Sequence, residues 1–262
     1  MPKFAANLTM LFTEAPFLER FKAAREAGFK AVEFLFPYEY SIDVIKGAVE
    51  ENNLQVVLFN LPAGDWSAGE RGIAADPQRK EEFREGVKQA VTWARALGVP
   101  RLNCLAGKRL ASSTFDEQWQ TLVDNVRYAA GVMGEYGLNL MVEPLNHYDV
   151  PGFLLNTTGQ VLKLLAEVDM PNVYLQYDIY HAQKEEGNLT VILRDQLPKI
   201  GHIQIADNPG RHQPGTGEIN YPFLLRELDN LGYNGYVSLE YIPVPDTRKS
   251  LDWVAEYGHS LG

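Results

Sequence analysis

Residues 136–143 read YGLNLMVE: a glycine ends an amphipathic run, and a short apolar segment follows at once. The same order of features recurs in AGFKAVEF (27–34), LGVPRLNC (97–104) and LGYNGYVS (231–238). A glycine just past the end of a helix adopts the left-handed conformation that turns the chain back toward a following strand. The four stretches therefore predict a repeated helix–glycine–strand unit.

Eight short apolar runs are spread along the chain, and near-continuous apolar runs are typical of buried parallel strands. They lie at residues 4–8, 31–36, 55–60, 101–105, 139–143, 173–178, 201–206 and 236–241. Amphipathic runs predict helices at 15–27, 41–52, 80–97, 116–136, 157–168, 188–196, 221–231 and 249–258.

Regular alternation of strands and helices implies a parallel sheet with right-handed crossovers. Eight such units in 262 residues predict one domain, residues 1–262, folded as a single (β/α)8 TIM barrel. A doubly wound open sheet is the alternative, but no G-x-G-x-x-G motif follows the first predicted strand.

The charge balance and the cysteine count limit the class of partner and the compartment. The net charge of −10 predicts that the protein binds neither nucleic acid nor an anionic membrane surface. The chain begins without the apolar core of a signal peptide, and no run approaches about 20 apolar residues, so we expect no membrane span. A lone cysteine, Cys104, indicates a reducing compartment and hence the cytoplasm, and its apolar context predicts a buried strand residue rather than a nucleophile.

Polar side chains at the carboxyl ends of the predicted strands mark the place where an α/β barrel carries its chemistry. The first four strands carry or lead to Asn7, Glu33, Asn60 and Lys108, and the last four to Glu143, Asp178, Gln204 and Glu240.

The last four of these residues predict a metal site. A carboxylate that closes an apolar strand is costly to bury alone, and three that converge on one barrel mouth repel each other. A divalent cation resolves both difficulties, and carboxylate and amide oxygens suit Mg²⁺ or Mn²⁺. A single strand-end glutamate is more often a salt-bridge partner or a cap acceptor, so the prediction depends on the joint pattern.

Loops at the same end of the barrel supply predicted substrate contacts. His181, expected to begin the loop after strand six, could bind a substrate oxygen or the metal, and Arg211 could hold a carboxylate through its planar fork. The long segment 61–77 after strand three is typical of a functional lid or of a disordered loop. Arg71 in this segment is a further expected contact for a substrate carboxylate, as is Lys108 after strand four. The alternative for each is an ordinary charged residue on the surface. His202 is assigned no role.

The segments LMVEPLN (140–146), QYDIYHAQ (176–183), HIQIADNPGRHQPGTGEINY (202–221) and SLEY (238–241) resemble the hydroxypyruvate isomerase family of the xylose-isomerase-like barrel superfamily. The resemblance runs from Phe4 to about Tyr257. Glutamine at position 204 matches the hydroxypyruvate isomerase branch, whereas epimerases of the superfamily commonly have histidine there.

The resemblance implies an isomerase of glyoxylate and carbohydrate metabolism. It implies that Glu143, Asp178, Gln204 and Glu240 bind the metal, and that the two glutamates are also the catalytic acid–base pair. His181 and Arg211 match substrate-contacting positions, and we add Asn7 and Lys108 as expected substrate contacts. The expected substrate is a small hydroxy-keto acid or sugar acid: hydroxypyruvate, converted to tartronate semialdehyde (2-hydroxy-3-oxopropanoate). Homo-oligomers are common among such barrels.

Three other functions stay open on the sequence alone. A 2-oxo-tetronate isomerase or a ketose 3-epimerase would use the same site for a longer substrate. A metal-dependent endonuclease would need a histidine-rich zinc cluster, but the chain has five histidines and only His181 is well placed. A non-catalytic binding barrel is the last alternative.

Overall fold

A computed structural model describes residues 2–262, and in this range eight parallel strands pair in chain order and close into one barrel. The fold class is therefore the predicted (β/α)8 TIM barrel; Met1 lies outside the described residues. The strands are β1 Lys3–Asn7, β2 Ala31–Glu33, β3 Gln55–Asn60, β4 Arg101–Cys104, β5 Asn139–Val142, β6 Val173–Asp178, β7 Ile200–Ile205 and β8 Tyr236–Leu239.

Helices follow the strands and form the outer layer. Within the described range they are α1 Phe17–Ala27, α2 Ile42–Glu51, α3 Lys80–Leu97, α4 Phe115–Gly134, α5 Thr158–Val168, α6 Ile179–Glu185, α7 Leu189–Gln196, α8 Tyr221–Asn230 and α9 Asp252–Glu256. None of the helices between residues 2 and 262 combines the length and the apolar character needed to cross a membrane.

The glycine turns predicted from the sequence are present. Gly28, Gly98, Gly137 and Gly232 all have positive φ, from 66° at Gly98 to 109° at Gly28. Apolar side chains fill the space between the barrel and its helices, and the largest fully buried ones include Phe4, Phe21, Phe29, Phe34 and Phe59.

Helix α6 was not predicted, and it corrects the expectation that His181 begins a loop. The helix has only seven residues and starts directly after β6, with no turn residues between them. Asp178 is both the last residue of the strand and the N-cap of the helix, because its Oδ1 accepts a hydrogen bond from the backbone N–H of Tyr180 (2.9 Å). The helix therefore fixes His181 relative to Asp178.

Candidate active site

The four predicted metal-ligand residues lie at one end of the barrel, because parallel strands bring their carboxyl ends together. Asp178 of β6 pairs in register with Gln204 of β7, and Glu143 and Glu240 follow β5 and β8 directly. All four side chains are buried. Glu143 and Glu240 both line a cavity of about 310 Å³ at this mouth, together with His181 and Arg211.

A tight set of metal-binding groups is formed by Glu143, Asp178 and His181. One ligand atom from each lies within 4.8 Å of the other two. Gln204 and Glu240 lie beside this set and are hydrogen-bonded to other residues. The Gln204 Oε1 atom accepts from Gln176 (2.7 Å), and the Glu240 Oε1 atom accepts from Asn7 (3.2 Å).

Arg211 is paired with two carboxylates of the site. Its Nη2 lies 3.1 Å from Glu240 Oε2 and 3.4 Å from Asp178 Oδ2. The loop that carries Arg211 is shaped by Asp207, whose carboxylate accepts backbone N–H bonds from Gly215 and Gly217 (both 2.9 Å). The arginine predicted as a substrate contact is thus already engaged in neutralising the site.

The carboxyl groups of the mouth carry strongly perturbed pKa values. Burial, together with the charges of Glu240 and Asp178, raises the pKa of Glu143 well above its ordinary value. Burial raises the pKa of Asp178 to about 6 and that of Glu240 to about 8, although the charge of Arg211 works against both shifts. One guanidinium therefore does not compensate three carboxylates, and this oxygen-rich donor set fits a divalent cation.

Two side-chain amides donate hydrogen bonds to the Glu143 carboxylate. Asn103 Nδ2 (2.9 Å) and Gln176 Nε2 (3.0 Å) both donate to its Oε2 atom. The carbonyl oxygens of the same two amides are buried and accept no hydrogen bond within residues 2–262. Glu143 is consequently fixed in orientation at the floor of the cavity.

His181 is neutral and faces the site with its Nε2 atom. Burial, helped by the charge of Arg211, lowers the pKa of His181 well below its ordinary value. Its Nδ1 accepts from the backbone N–H of Asn146 (3.2 Å), so in the neutral ring the proton must reside on Nε2. That Nε2 lies 3.6 Å from Asp178 Oδ2. His181 therefore presents a hydrogen-bond donor to the cavity.

A polar network inside the barrel was only partly predicted. Glu33 Oε2 lies 2.7 Å from His202 Nε2, and its Oε1 accepts from Gln204 (2.8 Å) and Asn7 (2.9 Å). Burial alone would raise the pKa of Glu33, but the charge of His202 and the hydrogen bonds bring it below its ordinary value. Strands β2 and β7 are not neighbours, so this contact crosses the barrel interior.

The sequence did indicate that His202 faces the barrel interior. His202 and Gln204 are two residues apart on one strand, so both side chains point to the same face. Asn7, predicted as a substrate contact, is buried and donates to both Glu33 and Glu240. It therefore connects the interior network to the mouth.

Lys108 is not brought to the site. Its Nζ donates to the backbone oxygen of Gly69 (2.9 Å), and it lines a separate cavity of about 260 Å³ beside the cavity that contains Glu143. Residues Trp66 and Arg71 of the long loop do line the site cavity. Cys104 is buried in β4 as predicted, and burial raises its pKa to about 12.

Comparison with known proteins gives concordant matches. Residues 21–257 match the family model described as xylose isomerase-like TIM barrel. The chain is 51% identical to hydroxypyruvate isomerase of Escherichia coli (strain K12), covering 98% of this chain and 100% of that protein. It is 46% identical to 2-oxo-tetronate isomerase of Pectobacterium atrosepticum, covering 97% of each. A solved structure from Brucella melitensis, described as AP endonuclease, family 2, superposes with a TM-score of 0.95 at 44% identity, covering 98% of this chain and 99% of that one.

Proposed function

Because the chain belongs to the xylose isomerase-like TIM barrel family, we propose that it is an isomerase that interconverts hydroxypyruvate and 2-hydroxy-3-oxopropanoate by proton transfer through an enediolate. One observation carries the proposal: Glu143 and Glu240, two buried carboxyl groups with raised pKa values, line the same small cavity. The relatives named as hydroxypyruvate isomerase and 2-oxo-tetronate isomerase, at 51% and 46% identity, support the same reaction class.

The reaction needs a base and an acid on the same substrate. One carboxylate removes a proton from C3, which carries the hydroxyl, and the electron pair of that bond forms the C2–C3 double bond as the C2 carbonyl becomes an oxyanion. The other carboxyl group then delivers a proton to C2, while the hydroxyl proton of C3 passes to the C2 oxyanion, so that C3 becomes the aldehyde and C2 carries the hydroxyl. Carboxyl groups with raised pKa values suit both roles near neutral pH.

The surrounding residues hold the two carboxyl groups in place. Glu143 accepts hydrogen bonds from Asn103 and Gln176, and Glu240 accepts hydrogen bonds from Asn7 and Arg211. Neither carboxylate can rotate away without leaving a buried hydrogen-bond partner unsatisfied. We propose that the Nε2–H of His181 donates to the substrate carbonyl oxygen, which becomes negative as the enediolate forms.

The mouth is suited to Mg²⁺ or Mn²⁺, with Glu143, Asp178, Gln204 and Glu240 as the proposed ligands. When bound, the cation would supply positive charge that stabilises the developing oxyanion. The excess of carboxylates over cationic side chains supports this assignment. His181 also lies within ligand distance of two of these groups. Its Nδ1 accepts a backbone hydrogen bond, which leaves Nε2 protonated, so we assign His181 to the substrate instead.

A 2-oxo-tetronate isomerase is the second candidate, and one observation favours it. A larger cavity of about 650 Å³ adjoins the site and shares Leu35 and Trp66 with it, which provides room for one more carbon.

An endonuclease is disfavoured by the net charge of −10 and by the presence of one histidine in the only cluster of metal-binding groups within residues 2–262. We further propose a cytoplasmic protein, which the single cysteine supports, and its oligomeric state stays a prediction.

The test is turnover of a substrate panel. We expect the purified protein to isomerise hydroxypyruvate, to lose activity with a chelator and to regain it with Mg²⁺ or Mn²⁺. Glu143→Gln and Glu240→Gln should each lower kcat by at least about a thousandfold, because each removes a proton-transfer group. Glu85→Gln makes the same chemical change on the exposed face of α3 and serves as the control.

Near-normal turnover in either active-site variant would contradict the assignment of the two glutamates. A clear preference for a 2-oxo-tetronate over hydroxypyruvate would replace the first substrate by the second. No turnover of either acid, combined with cleavage of abasic DNA, would overturn the isomerase proposal altogether.

A further inference from the structure

Arg71 lies in the loop between β3 and α3, which borders the site cavity. It lines the cavity together with Glu143 and Glu240. Its guanidinium carbon lies 3.9 Å from the centre of the Trp66 ring, and its Nη1 donates to the backbone oxygens of Trp66 (3.2 Å) and Glu70 (2.6 Å). Within residues 2–262 its Nε and Nη2 atoms donate no hydrogen bond, so part of the planar fork is unpaired.

The loop that carries Arg71 is fixed against the next loop. Within the loop, the backbone N–H of Gly72 donates to Ala63 (3.0 Å), and that of Ala75 donates to Ala106 (2.9 Å) in the loop after β4. A Cβ atom at Gly72, which has a φ of +109°, would lie only 2.1 Å from the backbone oxygen of Leu105. This close approach places Arg71 at a defined point rather than on a mobile segment.

The charges that line the cavity leave one place for a substrate carboxylate. Asp149 is paired with Lys184 (2.5 Å), and Arg211 is paired with Asp178 and Glu240. Arg211 is therefore not free to bind the carboxylate of a 2-oxo acid. Arg71 is the remaining cation of the lining, and the guanidinium fork matches a carboxylate in shape and charge.

We propose that Arg71, held flat on Trp66, binds the carboxylate of the substrate and so selects 2-oxo acids over neutral ketoses of the same length. This inference rests on the proposed function, since it assumes that the cavity binds the isomerised substrate. The ring of Trp66 and the two backbone oxygens orient the arginine, and its unpaired nitrogens face the ligand.

The test compares an acid with its neutral counterpart. Dihydroxyacetone is hydroxypyruvate with a CH2OH group in place of the carboxylate, so the ratio of the two kcat/KM values isolates recognition of that group. Arg71→Met should lower this ratio by about 10- to 100-fold, the usual effect of losing a charge-assisted hydrogen bond, mainly through KM for hydroxypyruvate. Arg71→Lys should fall in between, because it keeps the charge but loses the fork.

The control is Arg95→Met, which removes an arginine that also stacks on an aromatic ring, Tyr136 at 4.4 Å, in the last turn of α3 away from the mouth. A second readout does not depend on turnover. Titration calorimetry should show D-glycerate binding to the wild-type protein in preference to glycerol, and this preference should be lost in Arg71→Met.

The outcomes separate the two proposals. A wild-type protein that turns over hydroxypyruvate, with an unchanged selectivity ratio and unchanged glycerate binding in Arg71→Met, would overturn the carboxylate subsite and leave the isomerase intact. A wild-type protein without isomerase activity would contradict the proposed function, while the glycerate titrations would still decide whether Arg71 binds a carboxylate. If the methionine variant does not fold, the lysine variant gives the same comparison.

Discussion

Removal of the Glu33 carboxylate should destabilise the barrel from its interior. Glu33 is fully buried and accepts hydrogen bonds from Gln204 (2.8 Å) and Asn7 (2.9 Å), and it contacts His202 at 2.7 Å. The change Glu33→Ala removes this acceptor from all three groups, although Asn7 keeps Glu240 and His202 keeps Ser238 as a partner. Leaving the Gln204 amide unsatisfied costs about 1–3 kcal/mol and breaking the buried pair with His202 from one side costs about 3–5 kcal/mol, and the two costs overlap because all these groups share one network. We therefore expect the free energy of unfolding to fall by about 3–5 kcal/mol.

The assay is urea unfolding followed by circular dichroism, with linear extrapolation to water. Glu33→Gln keeps an acceptor oxygen for Asn7 and Gln204 and should lose only about 1–2 kcal/mol, since one hydrogen bond is affected. Glu51→Ala, at the exposed end of α2, removes a carboxylate without such partners and is the control. A loss below about 1 kcal/mol in Glu33→Ala would refute the reasoning, because it would mean that the network is not needed to satisfy these groups.

Three further predictions concern other parts of the chain. The pKa of Asp149 lies at about 2, below its ordinary value of 3.8, because its hydrogen bonds outweigh the effect of burial. The Asp149 carboxylate therefore stabilises the fold above about pH 4, and this stabilisation is lost as the pH falls toward 2. The stability difference between wild type and Asp149→Asn, measured by thermal unfolding from pH 6 downward, should therefore shrink, and a difference that grows would contradict the sign. Gly72→Ala should lower the free energy of unfolding, measured in urea, by more than about 2 kcal/mol. Gly69→Ala, at a φ of +89° but with open space around it, should lower it by only about 1–2 kcal/mol. Equal losses would mean that the contact of Gly72 with the loop after β4 is unimportant. Cys104 should resist a thiol reagent in the native protein and react fully in denaturant, since burial raises its pKa to about 12; fast native labelling would show that the strand opens readily.

The barrel was predictable from the sequence because its signals are local. Apolar runs recur in each unit and positive-φ glycines in four of the predicted ones, and both depend on residues close together in the chain. The short helix α6 lacked such a signal, since it follows Asp178 without a turn and one residue serves both elements. The strand-end position of Glu143, Asp178, Gln204 and Glu240 could likewise be predicted, because parallel strands end at the same edge.

Contacts across the barrel could not be predicted in the same way. The pairing of Glu33 with His202 joins residues 169 positions apart, and it depends on barrel closure rather than on either strand alone. Lys108 was predicted at the site because it follows a strand, but its flexible stem carries the amine to Gly69 in the neighbouring cavity. Arg211 was expected to be free for substrate, and only the folded loop shows that Asp178 and Glu240 bind it.

We propose that one of Glu143 and Glu240 removes a proton from C3 of a 2-oxo acid and that the other delivers a proton to C2. Proton NMR of hydroxypyruvate in D2O tests it most directly, because a proton taken up from the enzyme at C2 is replaced by solvent deuterium. We expect the wild-type protein to form 2-hydroxy-3-oxopropanoate carrying deuterium at C2, and neither Glu143→Gln nor Glu240→Gln to form it. Product formed by either variant at the wild-type rate would contradict the account.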